Sequence, residues 1–335
     1  MEKDQKINNS EKMNISKSYI DESKIIDKQF PICICSFPRS GNTMMRGIIE
    51  NSFNIFTGDD MIIPKNHESD ESILEALGIG KSNNLKRTFF IKTHYPNFVF
   101  KKNEFLTQGA ILMVRNPFDA FDSYFELISN ESHDKKYSEI DRKSKDIMDK
   151  FDEFIILVTQ QYQVFHNYWI SHLNVIPIKI FKYEENTDNK EKLTENVINF
   201  IFKFSPDKNY LGGYTLEEIF KRIESDKDSI IHSFTYKIGS ECKHYTSLQR
   251  DLFTQKQIDS IISANYDSLL FFNYIDDFKS LGNEKINLAI SKKESEMKNL
   301  NLKPKCWGFE FKDNDKMNEK LFENMSKNFA ERELL

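Results

Sequence analysis

Cysteine is scarce in this sequence, and the few cysteines lack the spacing of metal ligands. Four occur among 335 residues, and two of them, Cys33 and Cys35, lie at alternate positions of one apolar run, so they face the same side of a strand. This usage argues against a disulfide framework and favours a reducing compartment. We therefore predict a cytoplasmic protein.

Long apolar runs are also missing. No segment approaches the length needed to span a bilayer, and residues 1–6 (MEKDQK) lack the apolar core of a signal peptide. We therefore expect no membrane span. The polar and charged stretch 1–28 predicts a disordered N-terminal arm.

The sequence also lacks an excess of basic residues. Lys and Arg number 47 against 52 Asp and Glu, which gives a net charge of −5. Without a global positive field, nucleic acid is not an expected partner, and any anion has to be held by a local cluster of cations. The hydrophobic fraction of 39% is ample for one large core, or for a core with a subdomain.

One local cluster of cations lies between a predicted strand and a predicted helix. The apolar run 32–35 leads into the loop 36–43 (SFPRSGNT), and apolar residues at helical spacing follow it. Backbone N–H groups and the dipole at a helix N-terminus attract anions. Arg39 and Arg46 add positive charge, and Gly41 allows close approach of the backbone. The stretch suits a phosphate or sulfate group; an ordinary βα turn with a basic surface is the simpler alternative.

Strands and helices alternate along the rest of the chain. This order, with strands that are apolar on both faces, is typical of a three-layer α/β fold around a parallel sheet. We assign residues 29–283 to this domain and residues 284–335 to a charged C-terminal tail or peripheral helix. Strands are predicted at 32–36, 87–92, 110–114 and 175–181, and helices at 44–52, 118–129, 145–171, 190–204, 215–224 and 254–268.

Polar motifs follow each predicted strand. They comprise residues 39–43, residues 92–94, Arg115 and Tyr183. In parallel sheets, ligands bind at the carboxyl ends of the strands. The sequence therefore predicts that these motifs form one site.

Two other phosphate chemistries fit this loop poorly. A nucleotide-hydrolysing loop or a kinase needs a lysine after its last glycine, whereas Asn42 follows Gly41, and no strand ends in a clear Mg²⁺-binding aspartate. Cys33 and Arg39 have the C-x₅-R spacing of a cysteine phosphatase, but that chemistry needs an exposed thiolate, and Cys33 lies in a predicted buried strand.

Three motifs, in this order, resemble those of the sulfotransferases. Residues 38–43 (PRSGNT) resemble the 5′-phosphosulfate loop, and residues 92–96 (KTHYP) resemble the K-T-H-x-P segment. Residues 115–117 (RNP), with Ser123, resemble the 3′-phosphate-binding strand and helix. The sequences of these motifs most resemble those of the WSC-domain type of sulfotransferase. The resemblance implies a P-loop-like sulfotransferase fold, and transfer of a sulfuryl group from 3′-phosphoadenosine 5′-phosphosulfate (PAPS) to a hydroxyl or amine, without a metal.

The resemblance also implies roles for single residues. His94 is the implied general base, and Lys92 is implied to bridge the sulfuryl oxygens. Arg39 stands where the family usually has lysine; it can neutralise charge but cannot donate a proton, so the acid step has no assigned residue. The implied cofactor-binding residues are Arg39, Ser40, Gly41, Asn42, Thr43, Arg115, Ser123, Tyr183, Lys237 and Gly239.

The family's later glycine-rich segment is degraded here. Lys237 and Gly239 remain in a similar place, but the tryptophan and the second glycine of that segment do not. A non-catalytic nucleotide- or phosphate-binding protein of the same fold is therefore the alternative hypothesis. For an enzyme, the expected acceptor is a small molecule or a glycan, and the acidic segment 53–60 predicts a loop that lines the acceptor side.

Overall fold

The structure is a computed structural model that describes most of the predicted domain. The described residues are 31–60, 89–96, 106–130, 144–187, 189–204, 215–225, 245, 251–305, 307 and 310–333. The predicted arm at 1–28, and Lys237 and Gly239, lie outside these residues. Among the described residues, no helix combines the length and apolar character needed to cross a bilayer.

The described residues form five strands and ten α-helices; four of the strands come before residue 115, and seven helices follow the last strand. The strands are β1 (Ile32–Ser36), β2 (Gly58–Asp59), β3 (Phe90–Thr93), β4 (Gly109–Val114) and β5 (Ile178–Lys182). The helices are α1 (Asn42–Phe53), α2 (Pro117–Asn130), α3 (Lys145–Ser171), α4 (Tyr183–Thr187), α5 (Lys190–Phe202), α6 (Leu216–Ser225), α7 (Gln255–Phe271), α8 (Tyr274–Ser280), α9 (Glu284–Asn299) and α10 (Asn314–Glu333).

The five strands form one parallel sheet in the order β2-β3-β1-β4-β5, which confirms the predicted fold class. In the centre, Ile32 of β1 pairs with Phe90 of β3 and with Gly109 of β4. The order of strands reverses at β1, so the segments that follow β1, β3 and β4 meet at one edge. This topology brings the predicted polar motifs together.

Each face of the sheet is covered by its own apolar cluster. Cys33 and Cys35 contribute to the cluster beneath α2, α3 and α7, while Ile32 and Ile34 contribute to the cluster beneath α1 and α5. Burial on both faces explains why the strands read as continuous apolar runs rather than as alternating patterns. It also keeps the Cys33 thiol away from solvent, contrary to the need of a cysteine phosphatase.

Two strands differ from the prediction for local reasons. The backbone N–H groups of Val175 and Ile176 both donate to the carbonyl of His172, at 2.9 and 3.2 Å, so these residues complete the turn after α3 and β5 begins only at Ile178. The short edge strand β2 lies within a segment predicted to be a loop. Two residues carry no apolar pattern, so only the pairing with β3 reveals this strand.

The residues beyond 283 include two helices that pack on the domain. In α9, Ile286 and Ile290 are buried against the cluster that includes α7. Helix α10 lies along the outer edge of β5, where Asn318 accepts a hydrogen bond from the Ile178 N–H at 2.8 Å and donates one to the Ile178 carbonyl at 3.0 Å. The Asn318 side chain thus takes the place of a neighbouring strand.

Replacing Asn318 by leucine is expected to lower the free energy of unfolding by about 1–3 kcal/mol, because both backbone groups of Ile178 lose a buried partner. Urea unfolding followed by circular dichroism measures this change. The control is Glu319→Leu on the exposed face of the same helix, for which we expect a change within about 0.5 kcal/mol. Equal stability of the wild type and the Asn318→Leu variant would contradict this role of the amide.

Candidate active site

The loop between β1 and α1 has an unusual backbone. A turn brings the Ser40 N–H to the carbonyl of Phe37 at 3.2 Å. Arg39 (φ 65°) and Gly41 (φ 96°) both adopt left-handed conformations, which non-glycine residues such as Arg39 rarely do. Gly41 is the N-cap of α1, and the first N–H groups of this helix have no partner within it. The loop therefore turns a helix N-terminus towards the edge where the strands end.

Glycine at position 41 is required by a close contact as well as by its conformation. A Cβ atom there would lie 2.7 Å from Cδ2 of Tyr183 and 3.1 Å from the terminal methyl of Met113. Tyr183 is the first residue of α4, directly after β5. The aromatic ring therefore lies directly against the loop, as expected if both contact the same ligand.

Three further predicted residues contact one another around this loop. Arg39 donates from Nε to the Ser123 hydroxyl at 2.9 Å, and Arg115 donates from Nη1 to the Arg39 carbonyl at 2.8 Å. The Arg115 guanidinium also lies over the Tyr183 ring, 4.4 Å from its centroid. Two cations, a hydroxyl and an aromatic ring thus meet at the Gly41 loop: Arg39 lies in the loop itself, Arg115 directly follows β4, and the other two groups belong to α2 and α4.

Two polar atoms in this cluster are buried and have no hydrogen-bond partner within the part of the chain that the structure describes. They are the Ser40 hydroxyl, on a residue with no exposed surface, and Nε of Arg115. Buried polar groups are normally paired, and unpaired ones mark strain, function or a missing ligand. Here both atoms can donate hydrogen bonds, and two arginines lie beside them, so the cluster suits an anion with several oxygens.

The other two predicted loop residues have different surroundings. The Asn42 side chain turns inward and donates to the Ile34 carbonyl at 2.9 Å and to the Ser36 hydroxyl at 3.2 Å. It therefore ties α1 to β1, and only its backbone N–H belongs to the helix N-terminus. Thr43 is exposed in the first turn of α1.

His94 follows β3 and lies beside the start of the loop. Its Nδ1 lies 2.6 Å from the carbonyl oxygen of Ser36. Because a carbonyl can only accept a hydrogen bond, Nδ1 carries the hydrogen, and Nε2 is the basic nitrogen of the neutral ring. The contact therefore sets the tautomer that a general base needs.

The segment around His94 is held on both sides. The Thr93 hydroxyl donates to Asp60 at 2.5 Å and accepts from the Tyr95 N–H at 2.9 Å. The indole N–H of Trp169, on α3, donates to the Tyr95 carbonyl at 2.8 Å. These bonds fix the backbone on either side of the imidazole.

Two other described histidines lie in different environments. His166 is fully buried in α3, and burial lowers its pKa to about 3, although its hydrogen bond to the Tyr162 carbonyl opposes this shift. It therefore remains neutral at physiological pH inside an aromatic cluster. His172, at the end of α3, bonds to the carbonyl of Tyr168 at 2.7 Å. The His166 ring packs against the Phe37 ring of the loop, with the two centroids 6.5 Å apart, so it belongs to the aromatic core beneath the site.

Sequence reasoning missed a buried carboxylate beneath the site. One Glu184 oxygen accepts the backbone N–H and the side-chain amide of Asn116 at 2.9 and 2.7 Å, and the other accepts the Tyr274 hydroxyl at 2.8 Å. Burial, and then the charge of Glu184, raise the pKa of Tyr274 well above its ordinary value, so this tyrosine remains a donor. Glu184 thereby links the residues that follow Arg115 and Tyr183. Its place directly after Tyr183 was the only signal in the sequence.

Lys92 also has a partner that the sequence did not indicate. Its ammonium lies 2.8 Å from an oxygen of Asp59, on β2. Arg46, which the sequence suggests as a second cation of the loop, is 3% exposed and contacts Thr57, Glu50 and Asp59 instead. Among the described residues, no group of three His, Cys, Asp or Glu side chains has the arrangement of a metal site.

The comparisons with known proteins agree with this geometry. The family model described as "Sulfotransferase domain" matches residues 30–261, which is more than half of the chain and includes the loop, His94, Arg115 and Tyr183. Searches of curated proteins and of solved structures found no match. The chain therefore belongs to the sulfotransferase domain family and is an enzyme of the sulfotransferase class.

Proposed function

We propose that this enzyme transfers a sulfuryl group from PAPS to a hydroxyl or amine of a small molecule or glycan. The observation that carries the proposal is the convergence of Arg39, Arg115, Ser123 and Tyr183 on the Gly41 loop, with the oriented imidazole of His94 beside it. The two arginines and the helix N-terminus supply the positive potential that a doubly phosphorylated nucleotide needs.

The residues around Gly41 suit the two ends of this donor. The N–H groups at the start of α1 and the Ser40 hydroxyl would hold the 5′-phosphosulfate. Arg115 and Ser123 would hold the 3′-phosphate, and the Tyr183 ring would contact the adenine. The buried Nε of Arg115 has no hydrogen-bond partner among the described residues, which fits a ligand oxygen at this point.

His94 is proposed to take the proton of the acceptor. A hydroxyl becomes a far better nucleophile as it loses its proton, and an imidazole near neutral pKa is suited to accept it. The hydrogen bond from Nδ1 to Ser36 leaves Nε2 as the accepting nitrogen and holds the ring in one orientation. When bound, PAPS supplies an activated sulfuryl group whose bond to the 5′-phosphate breaks as the acceptor attacks.

Two cations are proposed to neutralise charge during transfer. Arg39 lies at the loop, where negative charge grows on the departing 5′-phosphate, and fixed cations aimed at such a point give the main stabilisation. Lys92, two residues before His94, is proposed to contact the sulfuryl oxygens. Arg39 retains its proton, so it acts through charge and hydrogen bonds alone.

The cytoplasmic location of the protein stays a prediction from the cysteine usage.

Replacing Arg115 by methionine is expected to weaken binding of adenosine 3′,5′-bisphosphate by about 10- to 100-fold, since hydrogen bonds to a charged group are worth about 1.5–3 kcal/mol. Isothermal titration calorimetry measures the affinity. Arg222→Met, on helix α6, is the matched control and should bind as the wild type does.

Transfer of ³⁵S from labelled PAPS to a panel of hydroxylated and aminated acceptors tests the reaction itself. Tight binding of the bisphosphate with no transfer to any acceptor would favour the non-catalytic alternative. Equal affinities of the wild type and the Arg115→Met variant would contradict the proposed 3′-phosphate site.

A further inference from the structure

Four side chains of alternating charge extend from α1 to the end of β3. Arg46 contacts Glu50 at 3.8 Å and Asp59 at 4.0 Å, and Asp59 contacts Lys92 at 2.8 Å. The Thr57 hydroxyl joins them, because it accepts from Nε of Arg46 at 2.6 Å and donates to Glu50 at 2.6 Å. Two acidic and two basic groups thus form one chain of contacts.

This charge chain is buried at one end and accessible at the other. The side chains of Glu50, Arg46 and Asp59 are at most 5% exposed, whereas that of Lys92 is 20% exposed. Removing charges from water is costly, and such groups persist only where they are well paired. Only the Lys92 ammonium can therefore meet an arriving ligand while the other three groups remain enclosed.

The backbone of this region reinforces the arrangement. β2 pairs with β3 in parallel register, and the Asp60 N–H donates to the Lys92 carbonyl at 3.1 Å. The carboxylates of Asp59 and Asp60 thus hold consecutive residues, Lys92 and Thr93, directly before His94. An edge strand of two residues is too short to add much to the sheet, but it places the carboxylate of Asp59, and that of Asp60 directly after it, against this segment.

We propose that Asp59 is a positioning residue, which holds the Lys92 ammonium at the end of β3 until an anionic sulfuryl or phosphate oxygen arrives. Arg46 is the second cation beside Asp59, so the buried carboxylate keeps a positive neighbour when Lys92 turns to the ligand. This inference rests on the proposed function for the identity of the anion. The ion pair itself is open to a test that needs no turnover.

The first experiment measures the acetylation rate of Lys92 by mass spectrometry after brief exposure to acetic anhydride. Asp59→Asn keeps the side-chain volume but removes the ion pair that holds the Lys92 amine at 2.8 Å, so we expect Lys92 to be more accessible and to react about 3- to 10-fold faster. The pair Lys179–Asp315 is the matched control, with a contact of 2.5 Å and a strand lysine whose side chain is also 20% exposed. Asp315→Asn should accelerate Lys179 and leave Lys92 unchanged.

Asp59→Glu keeps the charge, but its extra methylene moves the carboxylate, so we expect a Lys92 rate between those of the wild type and Asp59→Asn. This variant also serves as the test if Asp59→Asn folds poorly. A Lys92 rate equal to that of the wild type in Asp59→Asn, or in Asp59→Glu where Asp59→Asn does not fold, would overturn the proposal.

The second experiment compares sulfate transfer by the wild type and Asp59→Asn. A positioning role predicts a kcat about 10-fold lower with a donor KM changed by less than about 2-fold. The reason is that Lys92 is needed most in the transition state, where negative charge moves from the acceptor to the departing phosphate. If the wild type transfers no sulfate but Asp59→Asn still accelerates labelling of Lys92, the proposed reaction is wrong and the positioning by Asp59 stands. If transfer and labelling are both unaffected, the inference fails while the proposed function stands.

Discussion

Replacing His94 by alanine is expected to lower kcat for sulfate transfer by about 10²- to 10⁴-fold, the usual contribution of a positioned general base. The imidazole is the group beside the loop that can take a proton near neutral pH, and its hydrogen bond to Ser36 orients Nε2 for this purpose. Binding of adenosine 3′,5′-bisphosphate should change by less than about 3-fold, since Nδ1 of His94 bonds to the Ser36 carbonyl, which is not among the groups proposed to hold the nucleotide.

The measurement is the rate of ³⁵S transfer at saturating donor, with calorimetric binding of the bisphosphate alongside. His172→Ala is the control for loss of an imidazole, because His172 lies at the end of α3, where it contacts Ser171 and Tyr168. It should transfer sulfate at the wild-type rate. Transfer by His94→Ala at the wild-type rate would remove His94 from the mechanism.

Replacing Glu184 by leucine is expected to lower the free energy of unfolding by about 3–5 kcal/mol. Three donors, the Asn116 N–H, the Asn116 side-chain amide and the Tyr274 hydroxyl, would lose their acceptor in a buried region. Each unpaired buried donor costs about 1–3 kcal/mol, and breaking a buried charged network is among the most destabilising single changes.

Thermal and urea unfolding test this expectation. Glu184→Gln keeps the volume and one carbonyl oxygen, so it should cost less than the leucine variant. Glu185→Gln is the matched exposed control. The Glu185 side chain, next in sequence to Glu184, is 63% exposed and contacts Lys182, so we expect the free energy of unfolding to change by at most about 1 kcal/mol. A Glu184→Leu protein as stable as the wild type would show that this network contributes little.

The fold follows from the sequence to a large extent. Apolar runs before each polar motif predicted four of the five strands, and the helix predicted at 145–171 has the same bounds in the structure. Such runs are informative because both faces of a parallel sheet are buried. The strand β2 could not be predicted, since Gly58 and Asp59 have no apolar pattern and become a strand only by pairing with β3.

The position of the candidate site was also accessible from the sequence. Residues that follow parallel strands meet at one edge of the sheet whatever their separation along the chain. The sequence alone therefore predicts that Arg39, Arg115 and Tyr183 lie close together. Their direct contacts, and the approach of Tyr183 to Gly41, bear out the expected proximity. Their roles towards PAPS stay predictions.

The sequence by itself determined the parallel α/β sheet and the family of the enzyme, because these depend on local patterns and on the order of motifs; anion binding by the Gly41 loop stays a prediction. Only the tertiary structure decided how individual charges are paired: Lys92 with Asp59, Arg46 with buried acids, and Glu184 with Asn116 and Tyr274. The pairings of Lys92 and Glu184 join residues 33 to 90 positions apart. Arg46 pairs with nearer acids, Glu50 and Asp59, in a segment that holds several acids. Charge complementarity alone cannot determine which of these residues pair. The register of the strands and the exclusion of water determine the partners.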